Sequence, residues 1–381
     1  MKQIIQENQP WIDEIWHKLD NKLRCVAVRS RVKIPYTAID GIHNDLCEEN
    51  ITWWTNGFWG GLMWLMYQAT NNADYRQAAE ASERHLDRAF LEFERLHHDV
   101  GFMWHLVSGA SYRITGDRKS RLRNLYAASI LASRYNVDGG YIQAWNGEAQ
   151  IGYSIIDCLM NLPLLYWASR ELEAPRYRAI AERHMDMALR DHIRPDGSVN
   201  HIVDHMRDRV GVKQILAGQG YSPDSCWSRG LAWAVYGTIL AYIHLNKPEY
   251  LDAAQRTADF FIEHCSKTEF RPLVDFCAPA EPVYYDSTAG VCAACGMLEI
   301  AKYVSPSEAK RYTQAAVCIL KACADHFCDF DPSTDMLVQM GSERYPHNEQ
   351  GFQGLHIPII YGDFFFAEAI LKLRGSEFLI W

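Results

Sequence analysis

The chain has 381 residues, 48% hydrophobic, 12% aromatic and 22% charged, a balance that excludes disordered, collagenous and coiled-coil classes. Against 47 Asp and Glu stand 38 Lys and Arg, and the formal net charge of −9 argues against nucleic acid as a partner. A chain of this length buries about three quarters of its unfolded surface, so one large core is available.

The opening residues, Lys2-Gln3-Ile4-Ile5-Gln6-Glu7-Asn8, form no apolar stretch of a secretory leader, and no apolar run in the sequence reaches bilayer length. A soluble, cytoplasmic protein without membrane contact is expected. The 11 cysteines are odd in number and scattered through apolar helical contexts such as Cys318 and Cys323, the pattern of reduced thiols. Cys292-Ala-Ala-Cys295 is the only CxxC, and it has no second Cys or His pair, so it is read as helix packing.

In chain order, residues 1–50 are expected to be an N-terminal helix and arm packed against the main helical body. Trp54 to Ala69 reads as an apolar helix, rich in aromatic and small residues. It ends at the turn Thr70-Asn71-Asn72, and Asp74-Tyr75-Arg76-Gln77-Ala78-Ala79 then opens an amphipathic helix with its charges on one face. Gly101 to Ile114 repeats the apolar type, and Arg118 to Ala128 echoes the amphipathic one. Asp157 to Ser169 is apolar again, followed by Arg176-Tyr177-Arg178-Ala179. Trp227 to Leu245 and Asp286 to Val304 continue the apolar series, followed by Glu249-Tyr250-Leu251-Asp252 and Arg311-Tyr312-Thr313-Gln314. Asp363 to Leu373 is the final apolar helix. Strand signals are few, and Leu273 to Phe276 is the best of them.

Apolar helices paired with charged ones give about six hairpins, an irregular internal repeat. The expectation is all-α: a closed (α/α)6 six-hairpin barrel, apolar helices inside, forming a single domain over residues 1–381. An open solenoid is the alternative. It would need polar capping repeats, whereas Phe364-Phe365-Phe366 in the final helix is strongly apolar.

If the inner helices run in one direction, Trp54, Asn56, Asp99, Asp157, Trp227, Arg229, Asp286 and Asp363 gather at one mouth. Carboxylates hydrogen-bond hydroxyls and indole faces pack on sugar C–H surfaces, so the mouth has the outline of a saccharide site. For Asp286 and Asp363, helix capping competes evenly with a site role. Asp157 fits capping less well, because it lies in Ile155-Ile156-Asp157-Cys158-Leu159-Met160 and no Lys or Arg occurs from Tyr135 to Ser169. Burial without a cation raises a carboxyl pKa, as a general acid requires. Asp99 follows Arg95, His97 and His98 and is expected to stay an anion; two carboxyls pushed apart in pKa divide the acid and base roles. His97-His98-Asp99 is also a conceivable metal site, but adjacent histidines rarely chelate one ion together and no third ligand is suitably spaced, so no metal is expected. Arg229, alone in an apolar helix start, needs an anionic partner: Asp99, Asp286 or a bound carboxylate. Trp54, Trp145, Trp227 and Trp233 lie near these positions, Trp233 reading more as core. His201 follows a turn and belongs to no apolar face.

Trp54-Thr55-Asn56-Gly57-Phe58-Trp59, His97-His98-Asp99-Val100-Gly101-Phe102, Gly140-Tyr141-Ile142-Gln143-Ala144-Trp145, Ile156-Asp157-Cys158-Leu159-Met160-Asn161-Leu162-Pro163 and Trp227-Ser228-Arg229-Gly230 occur in that order, followed by Tyr285-Asp286-Ser287 and Tyr361-Gly362-Asp363. Together they resemble the unsaturated glucuronyl hydrolases, glycoside hydrolase family 88, over nearly the whole chain. The resemblance implies the same barrel and removal of a C4=C5 unsaturated uronic acid by hydration of its double bond, with no cofactor. It implies Asp157 as general acid/base, Asp99 as the second essential acid, and Trp54, His98, Trp145, His201, Gln219, Trp227, Arg229 and Trp233 as pocket residues. Attack falls at C5, not at the anomeric carbon, so carboxylate separation does not report stereochemistry here. The segment from Ser342 to Pro358 departs from the Ser/Ser/Lys cluster of members that prefer sulfated substrates, although Arg344 and His347 are available in its place. An unsaturated rhamnogalacturonyl hydrolase, a sugar 2-epimerase using His98 and His201, and a non-catalytic saccharide-binding barrel are the competing readings.

Overall fold

In the computed structural model, which describes residues 1–347 and 351–381, the helices are α1 (Lys2–Glu7), α2 (Gln9–Arg29), α3 (Leu46–Glu49), α4 (Phe58–Thr70), α5 (Ala73–Leu86), α6 (Ala110–Thr115), α7 (Arg118–Ser133), α8 (Leu162–Glu171), α9 (Pro175–Asp191), α10 (Ser228–Leu245), α11 (Pro248–Ser266), α12 (Ser287–Ile300), α13 (Pro306–His326) and α14 (Ile360–Leu373). A wide-turned π-helical stretch, Gly101–Gly109, runs into α6, and a 3-10 turn, Ile156–Asn161, leads into α8. Of the segment from Ser342 to Pro358, residues 348–350 lie outside the described residues.

Six apolar elements pack each on the next: α4, the 101–115 helix, α8 with its leading turn, α10, α12 and α14. Helix α14 packs back on α4, so the ring closes. The closed (α/α)6 barrel, not the open solenoid, is the architecture. Helices without a charged face have no side to give to water, and every residue of α12 is buried. Glycines let these helices approach closely: a Cβ on Gly237 would lie 2.5 Å from Leu159 Cβ, and one on Gly296 3.0 Å from Tyr236 Cα. The outer layer is α5, α7, α9, α11 and α13, with α2 laying Ile12, Ile15, Leu19 and Leu23 against α5 and α14. The inner-to-outer turns carry the signals read from sequence: Asn71 and Asn246 end their helices with positive φ (56° and 55°), and Asn72 caps α5.

The strands lie between helices. β1 (Ala38–Ile39) pairs with β2 (Ile42–His43), and β3 (Tyr135–Asn136) with β4 (Tyr141–Ile142). β5 (Tyr153–Ile155), β6 (Ile202–His205) and β7 (Val212–Leu216) form an antiparallel sheet in that order, with Ile155 opposite Ile202. Leu273 to Phe276, the strand expected from sequence, makes only isolated bridges, Leu273 to Tyr285 and Asp275 to Trp227. The reason lies in Asp275, whose carboxylate accepts the backbone N–H groups of Tyr221, Cys226 and Cys277 and so takes donors that would otherwise build a ladder. No helix among the described residues is long and apolar enough to cross a membrane.

Candidate active site

The β5–β6 ladder brings two of the candidate residues together. Beyond the Ile155–Ile202 pair, Ile156 lies opposite His201, its N–H donating to the His201 carbonyl at 3.1 Å, and Asp157 is the next residue in the chain. Asp157 Oδ1 sits 3.7 Å from His201 Nε2. Burial, and after it the charge of Asp99, pushes the Asp157 carboxyl up to about 7. His201 is neutral, because burial drives it down to about 3. The Gln219 backbone N–H points at His201 Nδ1 (2.9 Å), making that nitrogen the acceptor although the Ala217 carbonyl lies 3.2 Å away. The ring hydrogen therefore belongs on Nε2, facing Asp157.

Asp99 stands just before the π-helical stretch, and the Asn161 side-chain amide donates to its Oδ1 at 3.2 Å. The same amide nitrogen lies 3.4 Å from the Asp157 carbonyl, so Asn161 ties the two acids together. His98 Nδ1 donates to the Ala144 carbonyl at 2.9 Å, which turns Nε2 toward Asp99 Oδ1, 3.1 Å away. Burial alone would raise Asp99, but the charge of His98 and its hydrogen bonding outweigh it and hold the carboxyl below its ordinary range. Burial likewise opposes charge on His98, yet the Asp99 carboxylate wins and raises it. The divergence of two neighbouring carboxyls expected from sequence is thus built by one apolar pocket and one His–Asp contact. His97 Nδ1 lies 3.4 Å from Asp99 Oδ2, and burial lowers the His97 imidazole to about 4. The ligand atoms of His97, His98 and Asp99 fall within 4.8 Å of one another, the one such group among the described residues.

Beside the acids a cavity of about 150 Å³ is lined by Tyr36, Trp53, Trp54, Gln219, Arg229, Glu343, Arg344 and Tyr361. Trp54 presses on Phe58, Phe102 and Tyr361. Trp227 lies on His201 (ring centroids 4.3 Å apart) and under the Arg229 guanidinium (4.5 Å), and Trp145 meets His98 edge-on at 5.8 Å. Trp233 is fully buried between Phe102, Tyr361 and Phe365, a floor beneath the cavity. A larger, more open hollow of about 450 Å³ lies beside α9, around Tyr135, Arg183, Met187 and Arg190, and holds none of these residues.

Arg229 has found its anion inside the protein. Its Nη1 donates to Asp286 Oδ2 at 2.5 Å and to the Ser342 carbonyl, and its Nη2 to the Glu343 carbonyl at 2.6 Å. Burial disfavours its charge, but Asp286 more than compensates and raises its pKa. Asp286 also caps α12, its Oδ1 accepting from Thr288 N and Oγ1. Asp363 stands apart from the acid pair: its carboxylate accepts the Leu337 and Val338 N–H groups at 2.9 and 2.7 Å, and burial pushes it up to about 7. His347 turns its Nε2 to the Gly220 carbonyl at 3.1 Å, and the Arg344 guanidinium covers the Phe352 ring at 4.8 Å.

Tyr36, Trp53 and Glu343 escaped the sequence reading. Tyr36 donates its hydroxyl to Glu343, 307 positions away, and no local pattern encodes such a contact. The one sequence signal was the arm itself, where the Asn44 side chain accepts the Tyr36 and Thr37 N–H groups and fixes a turn ahead of the first inner helix.

A sequence-family model described as Glycosyl Hydrolase Family 88 matches residues 27–247. An unsaturated glucuronyl hydrolase of Bacillus sp. (strain GL1) is 34% identical over 350 residues, spanning 90% of this chain and 91% of that protein. An unsaturated chondroitin disaccharide hydrolase of Streptococcus pneumoniae is 31% identical, over 87% of this chain and 84% of its own. Among solved structures, the Bacillus sp. GL1 unsaturated glucuronyl hydrolase, described as responsible for the degradation of glycosaminoglycan, superposes with a TM-score of 0.85 at 32% identity, covering 94% of this chain and 97% of that one.

Proposed function

The chain belongs to glycoside hydrolase family 88, and from that membership we propose that it removes the C4=C5 unsaturated uronic acid from the non-reducing end of lyase-generated oligosaccharides. Asp157 donates its proton to C4 of the enol ether, and positive charge develops at C5 and the ring oxygen. Water adds at C5 and returns a proton to the Asp157 carboxylate, so the acid is regenerated in the same cycle. The resulting hemiketal opens, and the hemiacetal left at C1 expels the neighbouring sugar. Asp99, held anionic, stabilises the developing cation and accepts from ring hydroxyls. His201 Nε2–H faces Asp157 Oδ1 from 3.7 Å, and His98 keeps Asp99 charged. Trp54, Gln219 and Arg229 face the sugar from the cavity wall, with Trp145 and Trp227 packed on His98 and His201 and Trp233 buried behind Tyr361.

The observation that carries this reading is the pairing of a buried carboxyl raised to about 7, Asp157, with a neighbouring Asp99 held below its ordinary range. A saccharide-binding barrel has no use for that division. The test is a panel of unsaturated disaccharides from hyaluronan, chondroitin sulfates, heparin and pectin, followed by loss of the conjugated-uronate absorbance. Turnover of a glycosaminoglycan-derived member without added metal is expected. Turnover of the pectin-derived member alone would assign a rhamnogalacturonyl substrate, and no turnover at all would refute hydration.

A further inference from the structure

Beneath the acid pair lies a buried polar chain that takes no part in the hydration steps. Ser154, on β5 three residues before Asp157, is fully buried, and its Oγ lies 2.7 Å from His192 Nε2 and 2.7 Å from His205 Nε2. His192 ends α9, and its Nδ1 lies 2.9 Å from the carbonyl of Asn200, the residue before His201. His205 closes β6 on the far side of His201.

The hydrogens in this chain have one consistent direction. A carbonyl only accepts, so His192 carries its hydrogen on Nδ1 and presents a lone pair at Nε2. Ser154 Oγ–H must then donate to His192, which leaves its oxygen free to accept from His205 Nε2–H. Burial keeps both rings neutral, each lowered to about 4. His205 Nδ1 is left as a buried acceptor without a hydrogen-bond partner, 3.7 Å from Asp191 Oδ2. The Asn200 N–H donates back to the His192 carbonyl at 2.8 Å, and the His205 N–H to the Gly152 carbonyl at 2.8 Å. Each end of the two-strand ladder is therefore tied to one hydroxyl. A slip of one residue in that ladder would turn His201 away from Asp157.

We propose that Ser154, bridging His192 and His205, is the positioning unit of the active site, fixing the β5–β6 register that sets Asp157 Oδ1 opposite His201 Nε2. The proposal rests on Asp157 being the acid, and it makes Ser154 a positioning residue that touches neither substrate nor reacting atoms.

Ser154→Ala, assayed on the best disaccharide of the panel, should lower kcat about 10- to 100-fold with KM little changed, the cost of a misplaced acid. The high-pH limb of its kcat/KM profile should move to lower pH as Asp157 becomes better solvated among Asp99, His98, Arg229 and His201. A purely structural hydroxyl would lower the melting temperature and leave that limb in place. Rates within about twofold of wild type with an unmoved limb would overturn the proposal. Should Ser154→Ala fail to fold, His205→Gln, which keeps a donor for Ser154, is compared with His205→Phe, which does not: equal kcat values refute positioning, and recovery in Gln alone supports it. A crystal structure of the variant that folds gives a readout independent of substrate. An Asp157–His201 separation unchanged from 3.7 Å sinks the proposal whatever the activity, whereas a wild type inactive on every disaccharide sinks the function instead.

Discussion

Asp157 carries two predictions of opposite sign. Asp157→Asn removes the proton donor and should lower kcat by roughly 100- to 10,000-fold while leaving substrate binding largely intact. Wild-type activity should fall as pH rises through about 7, where the buried carboxyl ionises, and steady-state pH profiles read this directly. The same group acts on stability in the reverse sense. Its folded pKa is raised above the ordinary 3.8, so the stability it contributes is fully present below about pH 4 and is lost as pH rises through about 7. The amide cannot ionise, so Asp157→Asn should melt at a higher temperature than wild type at pH 8, and the difference should vanish by pH 4. Thermal melts at the two pH values check it. For the His97–His98–Asp99 group, exhaustive chelation should leave the rate unchanged; loss on chelation with recovery on adding a divalent ion would make it a metal site. At this scale the sequence was readable where chemistry is local. Asp157 stands out because its own neighbours are apolar and uncharged, and Asp99 because imidazoles precede it. Tyr36 and Glu343 had no such marker, since each acquires meaning only from the other across the fold.

Among the elements, the inner helices were legible because an apolar helix without a polar face announces burial on all sides. The β5–β6–β7 sheet was not, since strands of three to five residues fall below any periodicity and their pairing is non-local. Arg229 shows how an element contact changes a residue's expected part. The sequence left open whether its anion was Asp99, Asp286 or a bound carboxylate; in the fold it joins α10 to Asp286 at the head of α12 and to the carbonyls of Ser342 and Glu343 while still facing the cavity. Removing one partner of a buried ion pair leaves the other uncompensated at a cost of about 3–5 kcal/mol, so Arg229→Ala should lower the melting temperature sharply. If Arg229 also meets the uronate, kcat/KM should fall about 10- to 100-fold more on the charged substrate than on its methyl ester. Equal losses on both would restrict Arg229 to joining the helices.

The whole molecule is held at the opposite end of the barrel by the residues C-terminal to the final helix. Arg113 donates to the carbonyls of Leu379 and Ile380, and Trp381 Nε1 donates to Glu368 Oε1 at 3.1 Å, beside the buried Lys372–Glu299 pair at 2.6 Å. Trp381 stacks on Phe365 and touches Phe102, which in turn supports Trp54 and Trp233. A chain ending at residue 374 would strand the half-buried Arg113 and open the barrel floor, and it should melt far below the full chain in a thermal scan. The ring closure of α14 on α4 has a consequence in time as well as in space. Emerging from a ribosome, α10 leaves the tunnel carrying Arg229 long before Ser342 and Glu343 exist to receive it, and α4 waits exposed until the last barrel helix arrives. The nascent chain must therefore hold an open, greasy arc through most of its synthesis. Catalytic competence therefore waits until α14 has joined α4, and does not build up gradually as hairpins accumulate.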